Sequence, residues 1–214
     1  MRSARRLRLR TAAVACLVAL AAAACGIGAD EEPRALPVTT TTTTVPTTEP
    51  TGDEEARLYM VKASALVPII RRLPARTPRD VLNSLLVPPS GGEGQGLSSS
   101  IPSATRLLDI TGPDDGLVEI DLSEDFEDVQ GEARVLALGQ IVMSETLLPG
   151  VERLSFAVEG EPLSIFSPER GDVDVVDACD YASSLTDPSA EDVDLTIQQA
   201  LSLTKRREAL REEC

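Results

Sequence analysis

From Glu55 onward the apolar residues recur in two rhythms, alternate positions and helical spacing, and each rhythm is punctuated by Gly and Pro. Arg57-Leu-Tyr-Met-Val-Lys62 alternates over a short span and predicts a first strand, which leads into an apolar segment from Leu66. Thr77-Pro-Arg-Asp80 reads as a helix start, with Thr at the N-cap, Pro at the first helical position and an acid at the third. Val81, Leu82, Leu85 and Leu86 give that helix one apolar face, and Pro88-Pro89 stop it. Thr105 to Ile110 and Leu117 to Leu122 flank Gly112-Pro-Asp-Asp-Gly116, the signature of a hairpin. In its second arm Val118, Ile120 and Leu122 alternate with Glu119 and Asp121, so one face is buried and the other wet.

Gly131 to Leu148 follows as the most apolar helix after the N-terminal run, closed by Pro149-Gly150. Val151 to Val158 is another alternating strand, turned by Glu159-Gly160, and Leu163 to Phe166 adds an edge strand. Strand, helix, hairpin, helix, strand, strand predicts an α+β fold: a single small mixed sheet with two packed helices. Residues 168–214 form an acidic tail, Asp172-Val-Asp-Val-Val-Asp177 first, and then a C-terminal helix over about 189–212. Pro188 and Ser189 are expected to start that helix, and Val193, Ile197, Ala200 and Leu201 to form its apolar stripe. The stripe is expected to dock on the uncovered side of the domain, a partner-binding helix being the alternative.

The N-terminus reads differently. Arg2, Arg5, Arg6, Arg8 and Arg10 precede an uncharged, largely apolar run, Thr11 to Ala24, the pattern of a secretory signal. That run is shorter than the roughly 20 residues a membrane helix needs, so cleavage is expected. Leu20-Ala-Ala-Ala-Ala-Cys25-Gly26 resembles the lipobox of exported lipoproteins, with Ala22 where leucine is usual, which marks Cys25 for acylation. Cys16 lies too soon after the arginines for a full apolar region. Residues 25–54, with Val38-Thr-Thr-Thr-Thr-Thr-Thr-Val45 between prolines, have little apolar surface to bury and predict a disordered Thr/Pro-rich spacer reaching roughly 30 Å. The expected organisation is therefore signal 1–24, lipid-anchored spacer 25–54, α+β domain 55–167 and tail 168–214.

Charge and composition narrow the chemistry. The chain is −15, and removal of residues 1–24 takes five Arg and no acid, leaving 15 Lys+Arg against 35 Asp+Glu, or −20. A field of that sign repels phosphate backbones, so no nucleic-acid partner is expected. The absence of His removes His-based triads, HExxH zinc sites and the commonest metal ligand. No Trp, two Tyr and three Phe leave little for an aromatic sugar platform. Ser90 to Ser100 is glycine-rich but has neither the lysine of a P-loop nor GxGxxG spacing, and reads as a mobile loop whose three serines have no base. The acids Asp121, Glu124, Asp125, Glu127 and Asp128 lack the spacing of a calcium loop and read as a solvated lead into the next helix. No catalytic residue, metal site or cofactor is assigned, and no ligand-binding residue is identified. Cys179 and Cys214 remain in an oxidising compartment; a bridge would close a loop of about 35 residues and contribute about 3 to 4 kcal/mol. Free thiols and an intermolecular bridge are the alternatives.

The ordered elements resemble the sporulation and spore-germination domain GerMN. The resemblance rests on the Leu58 to Val61 strand, the Thr77 to Leu86 helix and its Gly-rich loop, Gly96-Leu-Ser-Ser-Ser-Ile-Pro102 with Thr105, the strand ending Ile120-Asp-Leu-Ser123, the Ala133 to Leu147 helix, and Gly150 to Gly160. It implies an exported, often lipid-anchored envelope component, self-association or docking among its partners, and no catalytic residues to carry over. One copy of the domain and a short tail stand here, whereas some members carry two copies or a long C-terminal region.

Two functions are then expected to compete. One is a non-enzymatic lipoprotein on the outer face of the cell membrane, binding or scaffolding an envelope protein or cell-wall component, or a further copy of itself. The other is a small cell-wall glycan hydrolase using a carboxylate pair.

Overall fold

The structure, a computed structural model, describes residues 52–190 and 193–214. The signal, Cys25 and almost all of the spacer lie outside the described residues. The α+β class holds, with two helices packed on strands and a third at the C-terminus.

The first strand, β1 (Glu54–Lys62), is longer than its alternation suggests and returns at once as β2 (Ala65–Leu73). β2 was expected only as an apolar continuation. Its turn, Ala63-Ser64, carries none of the Asn or Gly that usually marks a two-residue hairpin, yet both residues have positive φ, 49° and 60°. Pro68 within the strand further weakens the sequence signal.

This hairpin forms its own two-stranded sheet. The other strands form a five-stranded sheet of β3 (Leu107–Asp114), β4 (Leu117–Leu122), β5 (Arg153–Val158), β6 (Glu161–Pro162) and β9 (Val175–Asp177). β3 and β4 are antiparallel and β4 and β5 parallel, so the sheet is mixed. The turn of the β3–β4 hairpin is Asp115-Gly116, and Gly112 to Asp114 belong to an irregular end of β3. A parallel pair needs a long crossover, supplied by a 3-10 turn (Glu124–Asp128) and α2 (Gly131–Glu145). The expected edge strand at Leu163 to Phe166 is instead β7 (Ile165–Ser167), which pairs with β8 (Gly171–Val173) away from the main sheet.

α1 (Pro78–Leu85) begins as its sequence predicts: the Thr77 hydroxyl accepts from the Asp80 N–H at 3.2 Å. It covers one face of the β1–β2 hairpin, where Arg71 reaches the carbonyls of Ser84 and Val87. In α2 every residue from Leu136 to Glu145 is buried, as expected of a helix that is apolar nearly all round.

The tail is built into this body. β9 pairs with the first half of β5, and a 3-10 segment (Ala178–Ser184) packs against α2. α3 (Ile197–Glu213) starts later than the expected 189, because Thr196 and Gln199 form a reciprocal capping box. The expected stripe is also corrected: Val193 is buried, but Ile197 and Leu201 are 82% and 60% exposed, and Leu203 and Leu210 face the core. The helix docks on the second face of the hairpin, rotated from the expected contact by the bonds of Gln199 to Pro68, Arg206 to Thr146 and Arg207 to Leu185.

The left-handed turn supplies a direct test. Ala63→Asn with Ser64→Gly places residues suited to positive φ at both corners and should stabilise the fold by roughly 1 kcal/mol. Urea unfolding with an unchanged slope checks it.

Candidate interaction site

Several of the polar side chains that reach the interior join elements. β1 faces α2 along one edge, so the Tyr59 N–H donates to the Ser144 hydroxyl at 2.9 Å and the Tyr59 carbonyl accepts from the Gln140 amide at 3.3 Å. Gln140 also accepts from the Ser100 N–H at 2.7 Å. Ser98 exchanges two backbone bonds with Val61. The glycine-rich loop is therefore tied at its serine end, and Ser98 to Ser100 serve as connectors.

Its other end is tied by charge. Buried Arg71 holds the Glu93 carboxylate at 2.5 and 3.0 Å, and the Ser90 N–H donates to the same group at 2.7 Å. Burial pushes the Glu93 carboxyl up, but the Arg71 and Ser90 hydrogen bonds and the Arg71 charge outweigh it and hold the group below its ordinary value. Arg170 and Asp180 make a second such pair, bidentate at 2.7 and 2.6 Å, with Ser167 and the Asp177 N–H completing the carboxylate. Burial again raises the Asp180 carboxyl, and these donors bring it below the usual range.

The acids at 121–128 do turn out to lead into α2. Asp121 accepts from the Gly160 N–H and Ser123 donates to Asp125, so part of the patch caps turns. Among the described residues no group of three or more acids and cysteines is arranged to hold a metal ion. Cys179 and Cys214 form a disulfide, which ties the end of α3 to the 3-10 segment. Cys25 lies outside the described residues.

Glu145 was not anticipated. It closes α2 fully buried, and neither carboxylate oxygen has a hydrogen-bond partner among the described residues. Burial raises it well above the ordinary carboxylate value. The acid was hidden in the sequence because it sits where a helix end is ordinarily exposed.

Two open grooves flank α3. One, of about 200 Å³, runs between its first turns and β2 and is lined by Arg57, Pro68, Ile70, Gln198, Gln199 and Ser202. The other, of about 280 Å³, lies at the disulfide end beside Ser183, Arg207, Leu210 and Arg211. Neither was foreseen, because each joins segments more than a hundred or more than twenty residues apart in the chain. No described helix is long and apolar enough to cross a membrane.

The described residues form a small α+β body with polar bonds between its elements and open grooves beside α3. The chain belongs to the Germane family, described as sporulation and spore germination, whose profile matches residues 35–164. It is similar to the tandem GerMN domains of the sporulation protein GerM from Bacillus subtilis, at 18% identity and a TM-score of 0.50, over 60% of this chain and 47% of that one. The first GerMN domain of the same protein aligns over 58% of this chain and 96% of its own length, at 18% identity and a TM-score of 0.48. This chain thus spans about half the length of the tandem structure. No curated protein matches it.

Glu145 yields a pH-dependent prediction. Its carboxyl holds a proton more tightly in the fold than in the unfolded chain, so stability is full below the unfolded value near 4.5 and is lost as pH rises through the raised folded value. Glu145→Met removes the charge and the unpaired oxygens. It should stabilise by about 1 to 3 kcal/mol at pH 7 and by clearly less at pH 4, read from denaturant curves at both values.

Proposed function

We propose that this protein is a non-catalytic envelope lipoprotein that presents its GerMN-type domain outside the cell membrane for binding or scaffolding another envelope component. The observation that carries the reading is the use of the interior polar groups. Buried Gln140, Ser144 and Arg71 hold backbone groups or a partner charge between elements, and the backbone groups of Ser98 and Ser100 tie the preceding loop to them, which leaves the contact chemistry on the outside.

The sequence pattern around Cys25 supports the tether, and the family supports an envelope setting. With two or more acyl chains, each contributing about 0.8 kcal/mol per buried methylene, attachment is stable. The Thr/Pro-rich stretch between Cys25 and the domain holds the domain off the headgroups. Function is then a matter of what the domain meets at that height.

Cys25→Ala should move the protein from the membrane fraction to the soluble exported fraction; retention in the membrane removes the lipoprotein reading. Crosslinking in intact cells should recover the domain with a stoichiometric envelope partner. Recovery of the protein always alone would defeat the binding role.

A further inference from the structure

α3 is laid over the domain from outside the part that defines the family. The matched segment ends at residue 164 and contains the β1–β2 hairpin, α1, α2 and strands β3 to β5. α3 begins at Ile197, and along its length only Leu203 and Leu210 are buried. Apolar burial therefore holds it weakly for a helix of this size.

Polar contacts supply part of the rest. The Lys62 ammonium donates to the Asp194 carbonyl just before the helix, and Gln199, Arg206 and Arg207 reach Pro68, Thr146 and Leu185. The seam beneath is incompletely satisfied. The Tyr59 hydroxyl and the Arg206 Nε are buried, and neither has a hydrogen-bond partner among the described residues. Arg206 acts on Tyr59 only through its charge, which partly offsets the rise that burial causes in the phenol. What fastens the far end is covalent: the bond from Cys214 to Cys179.

That bond is placed where a thiol can reach it. Cys214 is exposed and Cys179 half-buried. The groove of about 280 Å³ at this end is lined by Ser183, Arg207, Leu210 and Arg211 together with Cys214 itself. Arg207 and Arg211 lie one helical turn apart and make no ion pair among the described residues; the exposed Asp187 carboxylate feels both charges. Guanidinium groups beside a sulfur favour its thiolate, which helps an attacking thiolate to arrive and the cysteine to leave.

We propose that Cys179–Cys214 is an exchangeable clasp acted on by an exported dithiol, and that its reduction frees α3 from the hairpin while the rest of the domain stays folded. A thiolate of the dithiol attacks the exposed Cys214 sulfur, the bond to Cys179 breaks, and Cys179 leaves as a thiolate that takes up a proton. The second thiol of the dithiol loses its proton and attacks its own partner sulfur in the mixed disulfide, so that Cys214 leaves. The chain has then gained two electrons and two protons, and the dithiol has become a disulfide. Opening uncovers Tyr59 and the Pro68 carbonyl. This clasp is independent of the binding role above, since it requires only the bond, the groove and the helix.

The probe is dithiothreitol, added to the full chain in detergent micelles without denaturant, with the freed thiols of Cys179 and Cys214 trapped by iodoacetamide. Both should be trapped at a rate proportional to dithiothreitol and unchanged by low urea. The Leu203 and Leu210 amides should then exchange at least about tenfold faster, while the amides of β4 and β5 keep their protection. Cys179→Ser combined with Cys214→Ser should show the same fast exchange in α3 with no reductant. Arg211→Gln, at an exposed position, should slow the reduction at least about threefold. The proposal is overturned if the bond is reduced only as fast as the whole domain unfolds, or if α3 keeps its protection after reduction. Loss of protection in β4 and β5 together with α3 overturns it too, because the bond is then a staple of the entire fold. Equal reduction rates for Arg211→Gln and the parent remove the groove as the point of attack and overturn it likewise.

Discussion

Tyr59 sits on a strand edge that faces a helix instead of another strand, and the structure is organised around meeting its backbone groups. A buried peptide N–H or C=O left without a partner costs about 1 to 3 kcal/mol, so the β1–β2 hairpin can lie against α2 only if side chains stand in for a missing strand. Ser144 and Gln140, one helical turn apart, do so from the same face of α2. Gln140 then reaches the Ser100 N–H, so the loop before β3 is set by the same residue that sets β1. Two sheets that share no strand pairing are thereby joined through one helix.

The same economy governs charge. The chain is strongly acidic, and two of its inward carboxylates each take one arginine, Glu93 the buried Arg71 and buried Asp180 the half-exposed Arg170, with additional backbone or hydroxyl bonds that compensate burial. These pairs pin a glycine-rich loop and the β7–β8 turn, which have few apolar residues to hold them. Glu145 departs from this pattern, since its carboxyl lies in the interior without a partner and is held toward the neutral form.

α3 gives the domain its outer shape. Only Leu203 and Leu210 are buried along its length, so its position depends on a few side-chain bonds and on the disulfide at its end. It covers one face of the hairpin yet leaves the last residues of β2 open beside it.

Much of this was legible in the residues themselves. Thr77-Pro78-Arg-Asp80 determined the start of α1, because capping and proline geometry act within one turn. Val118, Ile120 and Leu122, and likewise Leu154, Phe156 and Val158, determined their strands and buried faces, because alternation is local. The acidity and the lack of histidine bounded the chemistry. What the tertiary structure alone decided depends on contacts between distant segments. Ala63-Ser64 turns a hairpin without turn residues because α1 and α3 clamp its two faces. Ile197 and Leu201 point outward because the longer-range bonds of Gln199, Arg206 and Arg207 set the rotation of α3. The open groove exists only where residues near 70 and near 200 meet, and burial of Glu145 arises because packing surrounds the end of α2, a property that no local pattern encodes.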